Sequence, residues 1–199
     1  MADMEKTGKN LEGRGFRVHR FATGAEAADY LVQTLHGTGI GIGGSVTIDT
    51  LDVYDRLCES NEVFWHWKNH APETRERAGK AETYLCSANG VSENGEIVNI
   101  DGFGNRVAGT IYGPERVFLV VGRNKIAPDL TGAIDRARNI AAPLNARRLN
   151  RHTPCAVGEP RCHDCRSPEK ICGVMTVFFM PPTSIKEFHV ILVDEDLGY

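Results

Sequence analysis

The 199-residue chain lacks any long hydrophobic run. Its longest, Val117–Val121, falls far short of the ~20 apolar residues that a membrane-spanning helix needs, so no membrane span is expected. The opening, MADMEKTGKNLEGRGF, has no apolar core of the kind a secretory leader carries. Export is therefore not expected, and the expected compartment is the cytoplasm, where structural disulfides do not persist. An excess of basic residues is missing too: 23 Lys and Arg against 26 Asp and Glu give a formal net charge of −3, which excludes the electrostatic footprint of a nucleic-acid binder. Internal repeats and low-complexity tracts are absent. What remains has ordinary globular proportions, 41% hydrophobic and 25% charged, and is long enough to bury a core without disulfides. Residues 1–15, polar and glycine-containing, are expected to be poorly ordered, and residues 16–199 to form a single domain.

Hydrophobic spacing predicts strands alternating with helices. Ala25–Leu35 reads as a helix with Ala27, Leu31 and Leu35 on one face, stopped by Gly37 and Gly39. Ile40–Gly44 is a short buried strand entering a glycine turn, and TIDTLDVYDRLCES, capped by Ser45 or Thr47, is a helix with Ile48, Leu51 and Leu57 inward. Strand Glu62–Trp67 and helix Glu73–Glu82 follow, then strands TYLCSA, GEIVNI and RVFLVVG separated by Asn-Gly and Asp-Gly turns. Helix Asp129–Ala141 is amphipathic, with Pro143 expected to end or kink it. GVMTVFFM and EFHVILV are two late strands. The alternation predicts an α/β domain with a mostly parallel sheet flanked by helices, and the hairpin-like middle and late strands predict some antiparallel pairing.

Six cysteines need an explanation in a reducing compartment. Four of them, Cys155, Cys162, Cys165 and Cys172, fall in an inserted segment at residues 153–173 with the spacing Cys-x6-Cys-x2-Cys-x6-Cys. The central pair can reach one centre from a tight turn, the outer two can close it, and Pro154, Gly158, Pro160 and Pro168 keep the segment irregular enough to wrap around it. Four thiolates suit an iron–sulfur cluster, or alternatively zinc. Four reduced thiols in a loop, or adventitious disulfides, are the bland alternative. Cys58 and Cys86 read as buried core thiols.

A second candidate site begins at GIGIGGSVT. The letters contain G-x-G-x-x-G, but two of those glycines lie within the strand, so the dinucleotide reading is weak. Gly43, Gly44, Ser45 and Thr47 at a strand-to-helix junction instead suit a small anion, a carboxylate or phosphate, held by backbone amides and hydroxyls. A tight turn that binds nothing is the alternative. Ser87–Arg106 is dense in polar residues. Asn94-Gly95 reads as a two-residue hairpin turn, while Asn99, Asp101, Asn105 and Arg106 are candidates for a pocket and Glu93 for a nucleophile or base. His66, Lys68 and the tryptophans of FWHWKNH lie near a strand end, where at least one Trp is expected in the core. In GRNKI, Arg123, Asn124 and Lys125 follow a strand and are placed to meet an anion.

Taken together, GGSVT, SANGVSENGEIVNIDGFGNRVAGTIYGPERVFLVVGRNKI, RNIAAPLNARRL, TPCAVGEPRCHDCRSPEKIC and VILVDEDLGY resemble the LUD domain family, named for lactate utilisation, and in particular its single-domain branch with a cysteine segment. The resemblance runs from about Phe16 and is most specific from Cys86 to Cys172. It implies a fold related to ribose-5-phosphate isomerase, glucosamine-6-phosphate isomerase and the CoA transferases, whose glycine turn holds phosphate at the place of Gly43, Gly44, Ser45 and Thr47. Ser92-Glu93-Asn94-Gly95 matches the four letters around the CoA-transferase glutamate, although Gly90-Val91 and Glu96 depart from that motif's flanks. The family's role resembles that of an accessory in oxidising lactate beside iron–sulfur electron-transfer partners. Two functions stand side by side: a redox-linked, small-anion-binding accessory protein with a metal centre on four cysteines, and a CoA-transferase-like or sugar-phosphate-isomerase-like enzyme using Glu93 with structural zinc.

Overall fold

A computed structural model describes residues 3–199. Two sheets organise it. The larger is a six-stranded, fully parallel sheet of β1 (Arg17–Phe21), β2 (Gly39–Ile42), β3 (Glu62–Trp65), β4 (Thr83–Ser87), β7 (Arg116–Gly122) and β10 (Glu187–Val193), in the order β1-β10-β7-β4-β2-β3. The smaller is mixed: β5 (Gly90–Ser92) and β6 (Ile97–Asp101) are antiparallel, β6 pairs antiparallel with β9 (Val174–Phe178), and β5 pairs parallel with β8 (Ile126–Ala127). The expected α/β class with a mostly parallel sheet and some antiparallel pairing is what the chain adopts. Of the two late strands, β9 is the antiparallel one and β10 is inserted in the parallel sheet.

The run Val117–Val121 shows why the larger sheet is buried on both sides. Phe118 and Val120 enter one core layer with Ile40, Ile42, Leu85 and Ile191, while Val117, Leu119 and Val121 enter the other with Tyr84, Cys86, Val190 and Leu192. A strand covered on both faces reads as a continuous apolar run rather than an alternation. Helices α1 (Met4–Gly13) and α2 (Gly24–Thr34) flank β1. Next come α3 (Val46–Thr50), α4 (Tyr54–Cys58), α5 (Thr74–Lys80) and α6 (Asn105–Ile111), then α7 (Leu130–Arg136), α8 (Ala142–Arg148) and the single turn α9 (Pro154–Val157). α2 opens with a capping box: Thr23 and Glu26 satisfy each other's backbone N–H. Among the described residues no helix is long and apolar enough to cross a membrane.

Several expectations are corrected. The N-terminal stretch expected to be poorly ordered is helical over residues 4–13, leaving residues 1 and 2 outside the described region. Asp3 caps the helix, and its side chains dock on the β5–β6 turn: Lys6 on Glu93, Asn10 on the Glu93 carbonyl, and Arg14 on Glu96 and the Asn94 carbonyl. The helix expected over TIDTLDVYDRLCES is two, because the chain breaks at Asp52, whose φ is +50°. That break sets α4 so that Leu57 is buried and Cys58 is exposed, against the expectation of a core thiol. Cys86 is buried as expected, and burial pushes its thiol up to about 12. Pro143 does not end its helix. A π turn over Ala137–Ala141 joins α7 to α8, with the Ala142 N–H reaching back to the Ala137 carbonyl, and the wider turn absorbs a residue that has no N–H to donate.

Between β1 and β10 lies a polar chain. His19 Nε2 is 3.0 Å from His189 Nδ1 and 3.1 Å from the Tyr30 hydroxyl, His189 stacks on Phe118, and Glu187 lies 3.3 Å from its other nitrogen. Burial holds both rings below the ordinary histidine pKa, with Arg17 adding to the effect and Glu187 opposing it at His189. The unfolded chain therefore takes up protons that the folded chain refuses, and stability is expected to fall as pH drops below about 6.5. Urea midpoints from pH 8 to 5 check this. The acid sensitivity should shrink in His189→Phe.

Candidate functional site

The parallel strands present their carboxyl ends to one side. The chain leaves β2 towards β3 on one flank and returns to β4 on the other, which makes the β2/β4 junction a topological switch point, where open α/β sheets characteristically bind ligands. A cavity of about 750 Å³ opens there. Its floor is built from residues that follow four strand ends: Gly44, Ser45 and Thr47 after β2, His66 and Trp67 after β3, Ser87 and Asn89 around the end of β4, and Lys125 after β7. Its wall comes from Asp101, Asn105 and Arg106 around the start of α6, and its roof from Arg148 and Arg151 after α8 and from Pro168–Ile171.

The charge balance is lopsided. Five cations (Arg75, Arg106, Arg148, Arg151 and Lys170) and the buried amine of Lys125 line the cavity against two side-chain carboxylates. Both carboxylates are engaged elsewhere. Asp101 accepts the backbone N–H groups of Arg106 and Val107 at the start of α6, and Glu169 takes the His152 N–H. The Arg106 guanidinium bonds the Ser87 and Ile100 carbonyls and the side-chain oxygens of Asn89 and Asn99, all neutral acceptors. Among the described residues no carboxylate forms an ion pair with it, so its charge is uncompensated in the cavity lining. Gly43 permits this arrangement, since a Cβ there would lie 2.9 Å from the Tyr84 hydroxyl and 3.0 Å from Arg106 Cγ. At the rim, Arg148 covers the Trp67 ring at 4.6 Å, and His66 Nδ1 is buried without a partner.

Lys125 is the least ordinary group. It is 3% exposed, with Nζ 2.7 Å from Thr47 Oγ1 and 2.8 Å from Ser87 Oγ. Burial drives its pKa well below the usual lysine value, and Arg136 and Arg106 push the same way.

The structure gathers Gly44, Ser45, Thr47, Asp101, Asn105 and Arg106 on this cavity. Asn99 stands behind Arg106 rather than in the lining, with its Nδ2 buried and unpartnered. The free helix-start amides expected at the glycine turn are partly taken: α3 is only five residues long, and Ser45 already accepts the Ile48 N–H, so the pull on an anion comes from side-chain cations. Arg123 is turned away. A 3-10 turn over Arg123–Lys125 sends Lys125 inward and Arg123 outward to Asp194 and Asp196. Glu93 lies outside the lining, in a three-residue hairpin loop closed by Gly95 at φ +91°, where the Lys6 ammonium and the Asp3 N–H hold its carboxyl below the ordinary value. Glu93→Gln is therefore expected to leave anion affinity at the cavity unchanged, as measured by titration against tryptophan fluorescence. Arg75, Arg148, Arg151 and Lys170 are not legible as site residues from the sequence; the basic cluster ARRLNRH is a signal for Arg148 and Arg151 alone.

The cysteine segment rests on the α7–α8 rod. Asn139, in the π turn, accepts the Cys162 N–H at 2.8 Å. Arg138, also in that turn, donates to Cys162 Sγ at 3.3 Å, and the Asp164 N–H reaches the same sulfur at 3.4 Å. Arg147 holds the Ala156 and Gly158 carbonyls. Cys172 is half-buried. Burial raises its thiol pKa, and the Lys170 ammonium opposes that rise. Among the described residues, no three His, Cys, Asp or Glu side chains are already drawn together as the ligand set of a metal ion. The donor set itself fits a thiolate-bound centre: soft ligands only, with a guanidinium and a backbone N–H aimed at sulfur.

No curated protein matches the chain. A solved DUF162 family protein from Deinococcus radiodurans superimposes with a TM-score of 0.56 at 12% sequence identity, covering 96% of this chain and 95% of that one, which is a likeness of fold. The sequence profile of the LUD domain matches from Met4 to Val193, and on that match over nearly its whole length the chain belongs to the LUD domain family.

Proposed function

We propose that this LUD protein is a cytoplasmic, redox-linked accessory of lactate-utilisation type that binds a small carboxylate or phosphate in the cationic cavity and carries an iron–sulfur cluster on Cys155, Cys162, Cys165 and Cys172. One observation carries the reading: Pro168–Ile171, which lie between the third and fourth cysteines, are also part of the cavity roof. Gly102, on the cavity wall, packs so closely on this roof that a Cβ would lie 2.6 Å from Ile171 Cα. A change at the cysteines and a change in the cavity therefore share backbone.

The residues divide the work. Arg106, Arg148 and Arg151 supply positive charge for the anion, with Trp67 and Leu149 as apolar sides. Arg138 and the Asp164 N–H stabilise charge on Cys162 sulfur. When bound, the cluster supplies one-electron transfer. The segment's exposed position, with Glu159, Arg161 and Asp164 outward, suits exchange with an iron–sulfur electron-transfer partner.

Anaerobic purification with iron, zinc and sulfide analysis tests the reading. About four irons and four sulfides per chain are expected, as in a [4Fe–4S] centre, together with a visible spectrum that shifts on adding a small carboxylate or phosphate. One zinc without colour would make the segment a structural clasp and return weight to the transferase or isomerase reading.

A further inference from the structure

We infer that Lys125 is a carbonyl-capturing amine: the cavity forms a Schiff base between Lys125 Nζ and an aldehyde or ketone that carries a carboxylate or phosphate. The inference rests on the anion-site reading and names the substrate chemistry of the same cavity.

The hydrogen-bond pattern around Nζ carries it. The Thr47 hydroxyl donates to the Leu197 carbonyl at 3.2 Å and the Ser87 hydroxyl to the Ala88 carbonyl at 3.3 Å, so both hydroxyl hydrogens are already engaged. Towards Lys125 the two oxygens can only accept. They accept two N–H bonds, the number a neutral amine has, and its lone pair remains free. An ammonium would carry a third N–H for which the described residues offer no acceptor, a costly arrangement for a group so nearly buried. No carboxylate pairs with Lys125 among the described residues, and the neighbouring charges are the guanidiniums of Arg106 and Arg136. A desolvated lysine beside other cations is the setting that activates an amine as a nucleophile.

The step balances without an oxidant. The lone pair attacks the carbonyl carbon, a C–N bond forms, and the C=O π pair moves to oxygen, which takes a proton. That proton is the one the amine nitrogen sheds; the carbinolamine hydroxyl then takes a second proton, from solvent water in the cavity, and leaves as water, giving a cationic iminium. The substrate's own anion provides the counter-charge that the cavity lacks, and Arg106 and Arg148 are positioned to hold it. Thr47 and Ser87, at hydrogen-bond distance from Nζ, position the amine.

The test is reductive trapping with cyanoborohydride on the intact wild-type protein, using pyruvate as a carboxylate ketone and dihydroxyacetone phosphate as a phosphate ketone, followed by peptide mass mapping. The adduct is expected on Lys125 at about tenfold or more the level on exposed Lys9, Lys80 or Lys186, because each unit of pKa lowering raises the neutral fraction about tenfold. Labelling by one probe alone assigns the anion. Lys125→Met should lose the adduct. Binding of either probe, read by tryptophan fluorescence, without a Lys125 adduct overturns the Schiff base and leaves the anion site standing; absence of both binding and adduct overturns both. Adducts confined to exposed lysines also overturn it.

Discussion

Arg106→Met is expected to lower stability by about 3 kcal/mol and to weaken anion binding at least about tenfold. The guanidinium is the common partner of the Ser87 and Ile100 carbonyls and of the Asn89 and Asn99 side chains, and so ties β4 to β6 and α6. Methionine fills the volume of the stem but leaves these acceptors unpaired inside the protein, and an unpaired buried acceptor costs more than the bond it lost contributed. The cavity also loses the cation without a paired carboxylate. Arg106→Lys separates the two effects: it restores charge but not the planar fork, so affinity should recover more than stability. Urea denaturation and ligand titration of both variants decide. An Arg106→Met protein of unchanged stability would mean the four acceptors find water instead.

If the four cysteines hold the proposed cluster, Cys162→Ser is expected to remove most of the iron and sulfide from the protein. Cys162 is the sulfur on which the Arg138 guanidinium and the Asp164 N–H converge. A serine oxygen is a harder donor and does not replace it. The loop held around that centre should then open, and limited proteolysis should cut within residues 153–173, which wild-type protein resists. Cys58→Ser, at an exposed cysteine outside the segment, is the control and should keep its full iron and sulfide. Equal metal content in the two variants would remove Cys162 from the centre.

The sequence was most readable where a local pattern and its burial agree. Val117–Val121 announces a strand covered on both faces, and Ala25–Leu35 a helix whose inward stripe meets the core. Local pattern failed where distant residues decide. α1 has little apolar surface of its own, burying Leu11, Thr7 and Gly8, and is held by polar side chains some eighty residues away on the β5–β6 turn. Pro143 looks like a stop until the π turn before it is known. The site divides in the same way. Thr47, Asp101 and Arg106 lie near strand ends that periodicity locates, but the roof cations Arg148 and Arg151 come from the far end of a helix and reach the cavity only through tertiary packing. Arg123 and Lys125 are two positions apart in sequence, and only the 3-10 turn decides which one faces in.

The last strand of the described residues, β10, is not at an edge of the larger sheet but one place in from it. β10 lies between β1 and β7, and among the described residues β1 pairs with no other strand. During synthesis, β2, β3, β4 and β7 can associate as they leave the ribosome, whereas β1 must wait until residues 187–193 have been made. Until then β1 stays unpaired and β7 keeps one edge open, since both pair with β10. A ribosome stalled shortly before β10 would carry a chain with two open strand edges, the kind of species that chaperones recognise and that aggregates when they are scarce.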